Sequence, residues 1–197
     1  MGLDLEYVYG QTPLDDDEKE GLLIKSISTR RELDEFEQQN IEKAVLWSLK
    51  RKFKPTDILT EFFIKDLHRK MYADVWKWAG EFRNTNKNIG VDKLLIPVQL
   101  RNLLDDCLYW IENKSFSEDE IALRCKHRIV SIHCFPNGNG RHSRLLADII
   151  AEQVFKKAVF SWGGNKAKHT NARLDYLKAV KAADTGDYTL LINFARS

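Results

Sequence analysis

Cysteine is scarce in this chain of 197 residues, and long apolar runs and a marked charge imbalance are missing. An odd cysteine count without a Cys-x-x-Cys spacing argues against a disulfide framework or a thiolate zinc site; the three are Cys107, Cys125 and Cys134. No run approaches the roughly 20 apolar residues of a membrane span. Lysine and arginine number 31 against 29 aspartates and glutamates, so the net charge of +2 predicts binding to neither nucleic acid nor membranes. We expect a folded protein of a reducing compartment, the cytoplasm.

Helical signals dominate the sequence. Hydrophobic residues make up 43% and charged residues 30%, as in globular domains, and at about 150 residues per domain the length predicts one elaborated domain. Thr29 and Glu32 have the spacing of a helix capping box, and so do Ser117 and Glu120. Apolar residues recur at intervals of three and four after both pairs. The sequence therefore predicts an all-α fold.

One stretch, from Phe82 to Ile96, departs from the helical pattern. Polar residues and Gly90 separate short β-capable pieces there, which predicts a short β-hairpin or a flap-like loop. We expect the chain to have two parts. Residues 1–54 form an N-terminal arm and helix, with an inhibitory role for the arm considered below. Residues 55–197, which include this stretch, form a core with C-terminal helices.

The most informative stretch begins where a predicted helix ends at His133. Gly138 and Gly140 flank Asn139, so the backbone there can adopt positive φ angles and approach a ligand without interference from a Cβ atom. A second helix begins just after this loop. Its first amides and the positive end of its dipole attract anions. The loop therefore predicts a phosphate site.

Two arginines and a histidine surround this predicted phosphate site. Arg141 and Arg144 are three residues apart on the second helix, so both guanidinium groups can project over one anion. His133 stands at the edge of the loop, where a neutral imidazole can accept a proton from a hydroxyl. Phosphoryl or nucleotidyl transfer needs an oriented nucleophile and neutralised charge, which these groups supply.

Each piece also has an ordinary structural interpretation. Gly138–Gly140 taken alone is a common turn between helices, Arg144 has Asp148 four residues on as a surface partner, and His133 alone is more often a helix-end residue. Other motifs are missing: there is neither a P-loop pattern nor a His-Glu-x-x-His pattern. The combination of loop, arginines and histidine carries the functional prediction.

These twelve residues, His-Cys-Phe-Pro-Asn-Gly-Asn-Gly-Arg-His-Ser-Arg, resemble the signature of the Fic family, His-x-Phe-x-(Asp/Glu)-Gly-Asn-Gly-Arg-x-x-Arg. Seven of the eight fixed positions match. The stretch from Leu67 to Arg83 is similar to the Fic region that precedes the flap, so the resemblance covers roughly residues 55–160. With Thr12-Pro-Leu near the start and Asn137 in the signature, the chain is similar to the subfamily called mobile mystery protein B.

The resemblance implies a helical domain that transfers AMP from ATP to a protein hydroxyl and releases pyrophosphate. His133 would be the catalytic base that deprotonates a serine, threonine or tyrosine of the target, and Phe135 would pack in the core. The hairpin over residues 88–96 would be a flap that binds the target segment as an added strand. The residues implied to hold the phosphates of ATP are Gly138, Asn139, Gly140, Arg141 and, at the γ-phosphate, Arg144.

Asn137 departs from the signature, because the family usually has Asp or Glu there to hold Mg²⁺ or Mn²⁺. An amide oxygen can ligate Mg²⁺ but brings no charge. Two hypotheses follow: a protein adenylyltransferase that uses ATP and Mg²⁺, or a catalytically weakened module of toxin-antitoxin type that binds nucleotide or a partner. A third reaction, the phosphate transfer of the Doc branch, goes with a loop that departs from Gly-Asn-Gly-Arg.

Fic enzymes are often restrained by a helix with the pattern (Ser/Thr)-x-x-x-Glu-(Gly/Asn), whose glutamate pairs with the second signature arginine. Glu20, which a glycine follows, keeps half of this pattern with Asp16 at the hydroxyl position, and Ser28 with Glu32 keeps the other half. The resemblance thus predicts a regulatory contact of Glu20 with Arg144. The alternatives are a solvated acidic arm and restraint by a separate antitoxin-like protein.

Overall fold

Helices provide nearly all the regular structure of the chain. The computed structural model describes residues 13–164 and 172–197, so Thr12 of the subfamily resemblance lies outside the described residues. Within these ranges the α-helices are α1 Asp16–Glu20, α2 Arg30–Leu49, α3 Pro55–Ile58, α4 Glu61–Tyr72, α5 Ile96–Asn113, α6 Glu118–Ile132, α7 Asn139–Ile149, α8 Ala172–Asp184 and α9 Thr189–Ala195. A 3₁₀ turn, Lys93–Leu95, precedes α5, and a π-helical turn, Ile150–Val154, continues α7. The predicted all-α fold is confirmed.

The core forms around α6, which packs against both α5 and α7, while α2 packs on α4 and α8 on α9. Burial of each leucine or isoleucine side chain in such a core stabilises the fold by about 1.5–3 kcal/mol. The largest fully buried apolar side chains include Trp76, Tyr72, Phe135, Ile64, Leu67 and Leu100. Within the described ranges, no helix has both the length and the apolar character needed to cross a membrane. The packing fixes the end of α6 beside the start of α7.

The two predicted capping boxes have different outcomes. The Thr29 hydroxyl accepts a hydrogen bond from the backbone N–H of Glu32 at 3.3 Å, and Glu32 Oε2 accepts one from the backbone N–H of Thr29 at 3.0 Å, so the first box is confirmed. At α6, Ser117 Oγ accepts from the N–H of Glu120 at 3.3 Å. The Glu120 carboxylate, however, binds Arg124 at 2.8 Å, because a cation four residues on competes for it.

Of the two forms predicted before α5, a β-hairpin and a flap-like loop, the hairpin over residues 88–96 is wrong and the loop is present. This stretch is a loop that ends in the 3₁₀ turn Lys93–Leu95, and the described residues contain one isolated β-bridge elsewhere and no strand. Side-chain hydrogen bonds stabilise the loop in place of strand pairing. Asp92 Oδ1 accepts from the backbone N–H of Leu94 at 2.9 Å, and Asn86 Nδ2 donates to Asp92 at 2.9 Å. Such local side-chain bonds compete with a regular ladder.

A disulfide joins Cys107 of α5 to Cys125 of α6, with Cα atoms 6.2 Å apart, so the expectation that the cysteines form no disulfide is wrong. Both residues are buried where the two helices pack against each other. Their separation of 18 residues carries no recognisable motif, and the pairing depends on helix packing alone. Cys134 is a free buried thiol, and burial raises its pKa to about 12.

The N-terminal arm packs against the segment that precedes α5, residues 84–95, which we call the flap segment. Lys87 Nζ lies 2.8 Å from Asp15 Oδ2 and 2.5 Å from Glu18 Oε2. The Lys87 and Glu18 side chains are only 4% and 6% exposed. The Thr85 hydroxyl also donates to Glu18 Oε1 at 3.3 Å. Part of the acidic arm is therefore buried against the flap segment and not solvated.

We expect Lys87→Met to lower the free energy of unfolding by about 3 kcal/mol, because the Glu18 carboxylate would stay buried without its cation. Urea denaturation at pH 7 measures this. Lys43→Met is the matched control, since Lys43 pairs with Asp74 while both side chains are more than half exposed; its loss should cost less than about 1 kcal/mol. Equal losses in the two variants would contradict a buried pair at Lys87.

Candidate active site

His133 lies where α6 ends. Its backbone adopts the left-handed conformation, with φ 57° and ψ 62°, which is uncommon for a residue other than glycine. The backbone N–H of His133 donates to the carbonyl of Ile129 at 3.2 Å, which closes the last turn of the helix. The residue is 5% exposed. This turn sends the chain out of α6 into the signature loop and sets the imidazole beside it.

The surroundings of His133 keep its imidazole neutral. Burial, the largest cause, lowers the pKa of His133 to about 4. The positive charges of Arg83 and Lys87 lower this pKa as well, whereas a hydrogen bond to the backbone of Val130 raises it. A neutral imidazole is the form that accepts a proton from a hydroxyl.

The signature loop is closed by its own asparagine. Asn139 Oδ1 accepts from the backbone N–H of Phe135 at 3.0 Å, and Asn139 Nδ2 donates to the Phe135 carbonyl at 2.8 Å. Gly138 has φ 76°, and a Cβ atom there would lie 2.5 Å from the ring of Tyr72. A Cβ atom on Gly140 would meet nothing within 4 Å in the described ranges. The Asn139 side chain therefore maintains the loop, and open space lies at Gly140.

The first turn of α7 is a suitable place for an anion. Gly138 is the N-cap, and no side chain caps the helix. The first amides of a helix have no acceptor within the helix, and the helix dipole adds positive potential at this end. With the open space at Gly140, these amides can hold a phosphate oxygen.

Two buried histidines support the signature loop from behind. The backbone N–H of Gly80 donates to His68 Nδ1 at 3.0 Å, so Nε2 carries the proton and donates to the Asn137 carbonyl at 3.1 Å. The His142 Nε2 lies 3.0 Å from the carbonyl of Ile64. Burial lowers the pKa of both histidines, that of His142 to about 4. Both rings are neutral, and their hydrogen bonds fix the loop against α4.

The two signature arginines have different partners. Arg141 Nη2 lies 2.6 Å from Oε2 of Glu37, a carboxylate of α2 that is 3% exposed. The guanidinium of Arg144 lies 4.8 Å from the ring centre of Tyr176 and 5.9 Å from that of Trp162. Its buried Nε has no acceptor in the part of the chain that the structure describes. Arg141 is thus neutralised by a carboxylate, whereas Arg144 is surrounded by aromatic rings.

Glu20 is exposed, and no ion pair joins it to Arg144 among the described residues. Its regulatory role stays a prediction. The acid that reaches the signature is Glu37, which also accepts from Trp76 Nε1 at 2.7 Å, and Glu32 is used by the cap of α2. The sequence pattern did not indicate Glu37, because the residue after it is a glutamine and not glycine or asparagine.

The residues at the family's metal position do not fit a metal held by the protein. Asn137 Oδ1 accepts from the backbone N–H of Gly138 at 2.6 Å, so the oxygen that replaces the usual carboxylate is already engaged. In the described ranges, no group of three or more His, Cys, Asp and Glu side chains could hold a metal ion. Mg²⁺ in proteins is usually bound through one or two carboxylates together with substrate phosphates. The chain itself supplies neither at this position.

The sequence did not reveal how the flap segment meets His133. Gly90 has φ 100°, and a Cβ atom on it would lie 2.6 Å from the Cβ of His133. Arg83, which the sequence showed only as part of the stretch before the flap, donates from Nε to the His133 carbonyl at 2.6 Å. These two residues are 50 positions apart, and no spacing rule connects them.

Comparison with known proteins agrees with this architecture. Residues 58–151 match the model of the Fic/DOC family, a range that includes His133 and the whole signature loop. Over these residues the chain is similar to the Fic/DOC family. "Protein adenylyltransferase Fic" of Aedes aegypti is 28% identical to it over 140 residues, which are 69% of this chain and 27% of that protein. The chain thus spans about a quarter of the length of this curated relative.

Solved Fic structures share the fold. The N-terminal Fic domain of Bep8 from Bartonella sp. 1-1C has a TM-score of 0.68 and 14% identity, over 88% of this chain and 89% of that one. BepC of Bartonella tribocorum, solved with bound AMPPNP, has the same score and identity over 92% and 97%. Fic-1 of C. elegans scores 0.62 at 18% identity, over 80% of this chain and 46% of that one. The likeness to mobile mystery protein B stays a prediction.

We expect the His133 imidazole of this Fic domain to titrate near pH 4. The native ring stays neutral, whereas the unfolded ring takes up a proton below its ordinary pKa of 6.5. The free energy of unfolding should therefore decrease as the pH falls from 6.5 towards 4. Histidine side-chain NMR gives the midpoint, with the signal assigned by His133→Asn. A midpoint near 6.5 would contradict a buried neutral imidazole.

Proposed function

We propose that this Fic domain is a protein adenylyltransferase, which moves AMP from ATP to a serine, threonine or tyrosine hydroxyl of a target protein. One observation carries the proposal: a buried neutral imidazole stands beside an uncapped helix N-terminus that has open space at Gly140 and two arginines in its first turns. The adenylyltransferase name of the Aedes aegypti relative supports the same activity.

In the proposed reaction, His133 accepts the proton of the target hydroxyl, and the hydroxyl oxygen forms a bond to the α-phosphorus of ATP. The bond between the α-phosphorus and the bridging oxygen to the β-phosphate breaks, and pyrophosphate leaves with that electron pair. The proton stays on the imidazole until solvent removes it. The backbone amides of residues 139–141, the first of α7, would stabilise negative charge on the phosphate oxygens during transfer.

The two arginines are assigned to the phosphate chain, Arg141 along its length and Arg144 at the γ-phosphate. The buried Nε of Arg144, without an acceptor among the described residues, supports this role. ATP is the proposed co-substrate, and the AMPPNP bound to BepC is consistent with it. Since the residues around Asn137 do not fit a protein-held cation, we assign no step to Mg²⁺ or Mn²⁺.

The flap segment is the proposed docking site for the target protein. Leu94 is 79% exposed, and Ile89 and Leu95 are 46% and 48% exposed. An exposed apolar group of this kind at the edge of a site is suited to a peptide segment of the target. Because the segment is a loop and not a hairpin, the target segment would contact these side chains instead of extending a sheet. A cytoplasmic location and an antitoxin-like regulator remain part of the proposal.

Incubation with ATP, in separate samples with Mg²⁺, Mn²⁺ and EDTA, followed by intact mass measurement tests the activity. We expect a mass increase of one AMP minus one water in wild type and none in His133→Ala. Labels in the α- and γ-phosphates of ATP distinguish AMP transfer from phosphate transfer. No adduct on the chain or on lysate proteins, while ATP still binds, would overturn the proposal.

That last outcome would favour the second candidate, a module that binds nucleotide without transferring AMP. The engaged Oδ1 of Asn137 is the observation that favours it, because the site then offers no carboxylate for a cation on the phosphates. Asn137→Asp distinguishes the two. If the loss of a carboxylate limits catalysis, this substitution should increase transfer, and the increase should require Mg²⁺ or Mn²⁺.

Glu37 is expected to weaken ATP binding, because its carboxylate competes with phosphate for Arg141. We expect Glu37→Gln, which retains an acceptor for Trp76, to bind ATP more tightly than wild type in isothermal titration. Glu35→Gln removes an equal charge from the same helix, where Glu35 forms an exposed pair with Arg31, and should leave the affinity unchanged. Weaker binding in Glu37→Gln would indicate that Glu37 positions Arg141 for the phosphate.

A further inference from the structure

Arg83 is a buried arginine that bonds to backbone carbonyls alone. The residue is 3% exposed, and no carboxylate pairs with it in the described ranges. Its Nε donates to the carbonyl of His133 at 2.6 Å, its Nη1 to that of Thr85 at 2.7 Å, and its Nη2 to those of Val91 and, at 3.5 Å, Ile132. One side chain thus connects the end of α6 with both ends of the flap segment.

The Asp92 and Glu18 carboxylates act on Arg83 without an ion pair between them and it, so its buried charge depends mainly on hydrogen bonds to its N–H donors. Four hydrogen bonds satisfy most of the five N–H donors of Arg83, because the planar guanidinium presents them in a fixed fork that suits carbonyls from several directions. Two of these carbonyls end α6, where the helix dipole is negative and favours a cation. Lysine has three donors at one point and cannot span the same carbonyls.

The contacts of Arg83 with His133 extend along the backbone. The backbone N–H of Arg83 donates to the carbonyl of Cys134 at 2.9 Å, and the backbone N–H of Val91 donates to that of Ile132 at 3.3 Å. Gly90 then lies so close to His133 that a Cβ atom on it would be 2.6 Å from the His133 Cβ. The same group of hydrogen bonds and close contacts therefore holds both the flap segment and the residue that carries the imidazole.

We propose that Arg83 is a positioning residue that joins the flap segment and His133 into one rigid unit. This inference rests on the proposed function, in which the flap segment holds the target and His133 takes the proton from its hydroxyl. A single side chain then sets the distance between docking surface and base. If Arg83 were lost, each part could still fold, but neither would fix the position of the other.

The charge of Arg83 supports a second effect of the same contact. Arg83 and Lys87, both from the flap side, are the two cations that lower the pKa of His133 in addition to burial. Closure of the flap segment would therefore also keep the imidazole neutral. The effect on the pKa of His133 depends on the charge of Arg83, whereas the positioning depends on the geometry of its guanidinium group. Two substitutions can therefore separate the two effects.

The test uses two variants. Arg83→Gln removes both the charge and the guanidinium donors, and Arg83→Lys retains the charge without the guanidinium geometry. Arg101→Gln is the control, because it removes the same charge from an exposed position on α5. Hydrogen exchange of residues 84–95, followed by mass spectrometry, reports the flap segment. Histidine NMR reports the imidazole of His133. Neither measurement needs ATP or a target protein.

We expect exchange in residues 84–95 to accelerate at least about tenfold in both Arg83 variants, the effect of losing one or two hydrogen bonds to a charged donor. The pKa of His133 should rise above about 4 in Arg83→Gln, because one of the charges that lower it is lost, and stay low in Arg83→Lys. The control should match wild type in both measurements. If circular dichroism shows that Arg83→Gln is unfolded, the exchange rate of residues 84–95 in Arg83→Lys tests the positioning role.

Wild-type exchange in residues 84–95 of folded Arg83→Gln or Arg83→Lys would overturn the proposal, because the fork would then not hold the flap segment. Transfer kinetics add a separate readout: the positioning role predicts a lower kcat in Arg83→Lys with an unchanged KM for ATP. If wild type transfers no AMP at all, the proposed function fails, while the exchange and NMR results still decide the role of Arg83.

Discussion

The carbonyl groups at the C-terminal end of α6 are the constraint on which the site depends. A helix leaves its last carbonyls without partners inside the helix. Here those of Ile132 and His133 are satisfied by Arg83, which directly precedes the flap segment, and by the backbone N–H of Val91 within it. His133 also turns into the left-handed conformation at this point. The contacts that satisfy the carbonyls at the helix end are therefore also the contacts that position the imidazole.

The distribution of charge around the signature loop follows from burial. His68, His133 and His142 are all buried, and burial lowers the pKa of each, so the centre of the domain contains neutral imidazoles. Cations near the loop have partners from other elements. Lys87 pairs with the arm, and Arg141 pairs with Glu37 of α2. Arg144, in contrast, has aromatic neighbours and no carboxylate partner in the described ranges, which is the environment that an incoming anion would complete.

Local rules predicted much of the fold. The Thr29 capping box was identified correctly, because it depends on neighbours within a few residues. Phe135 is buried as the resemblance implied, although its ring stacks on the distant His68. The flap segment was predicted as a hairpin because β-capable residues alternate with turn residues there. The segment is a loop because Asp92 and Asn86 accept hydrogen bonds from nearby backbone N–H groups, and Arg83 donates to the carbonyls of Thr85 and Val91. The cysteine pair was missed since only the packing of α5 on α6 brings its members together.

The sequence by itself determined the signature loop, because two glycines, an asparagine and the start of a helix are enough to form an open, amide-rich turn next to a histidine. Tertiary structure alone decided which groups surround that turn. Glu37 reaches the site from α2, Lys87 from the flap segment and Arg83 from the residue before that segment. Their roles depend on which carbonyls and charges the packing leaves unsatisfied. Spacing in the sequence encodes contacts within a helix or a turn. The charge state and position of His133, in contrast, depend on its burial by elements that are distant in the sequence.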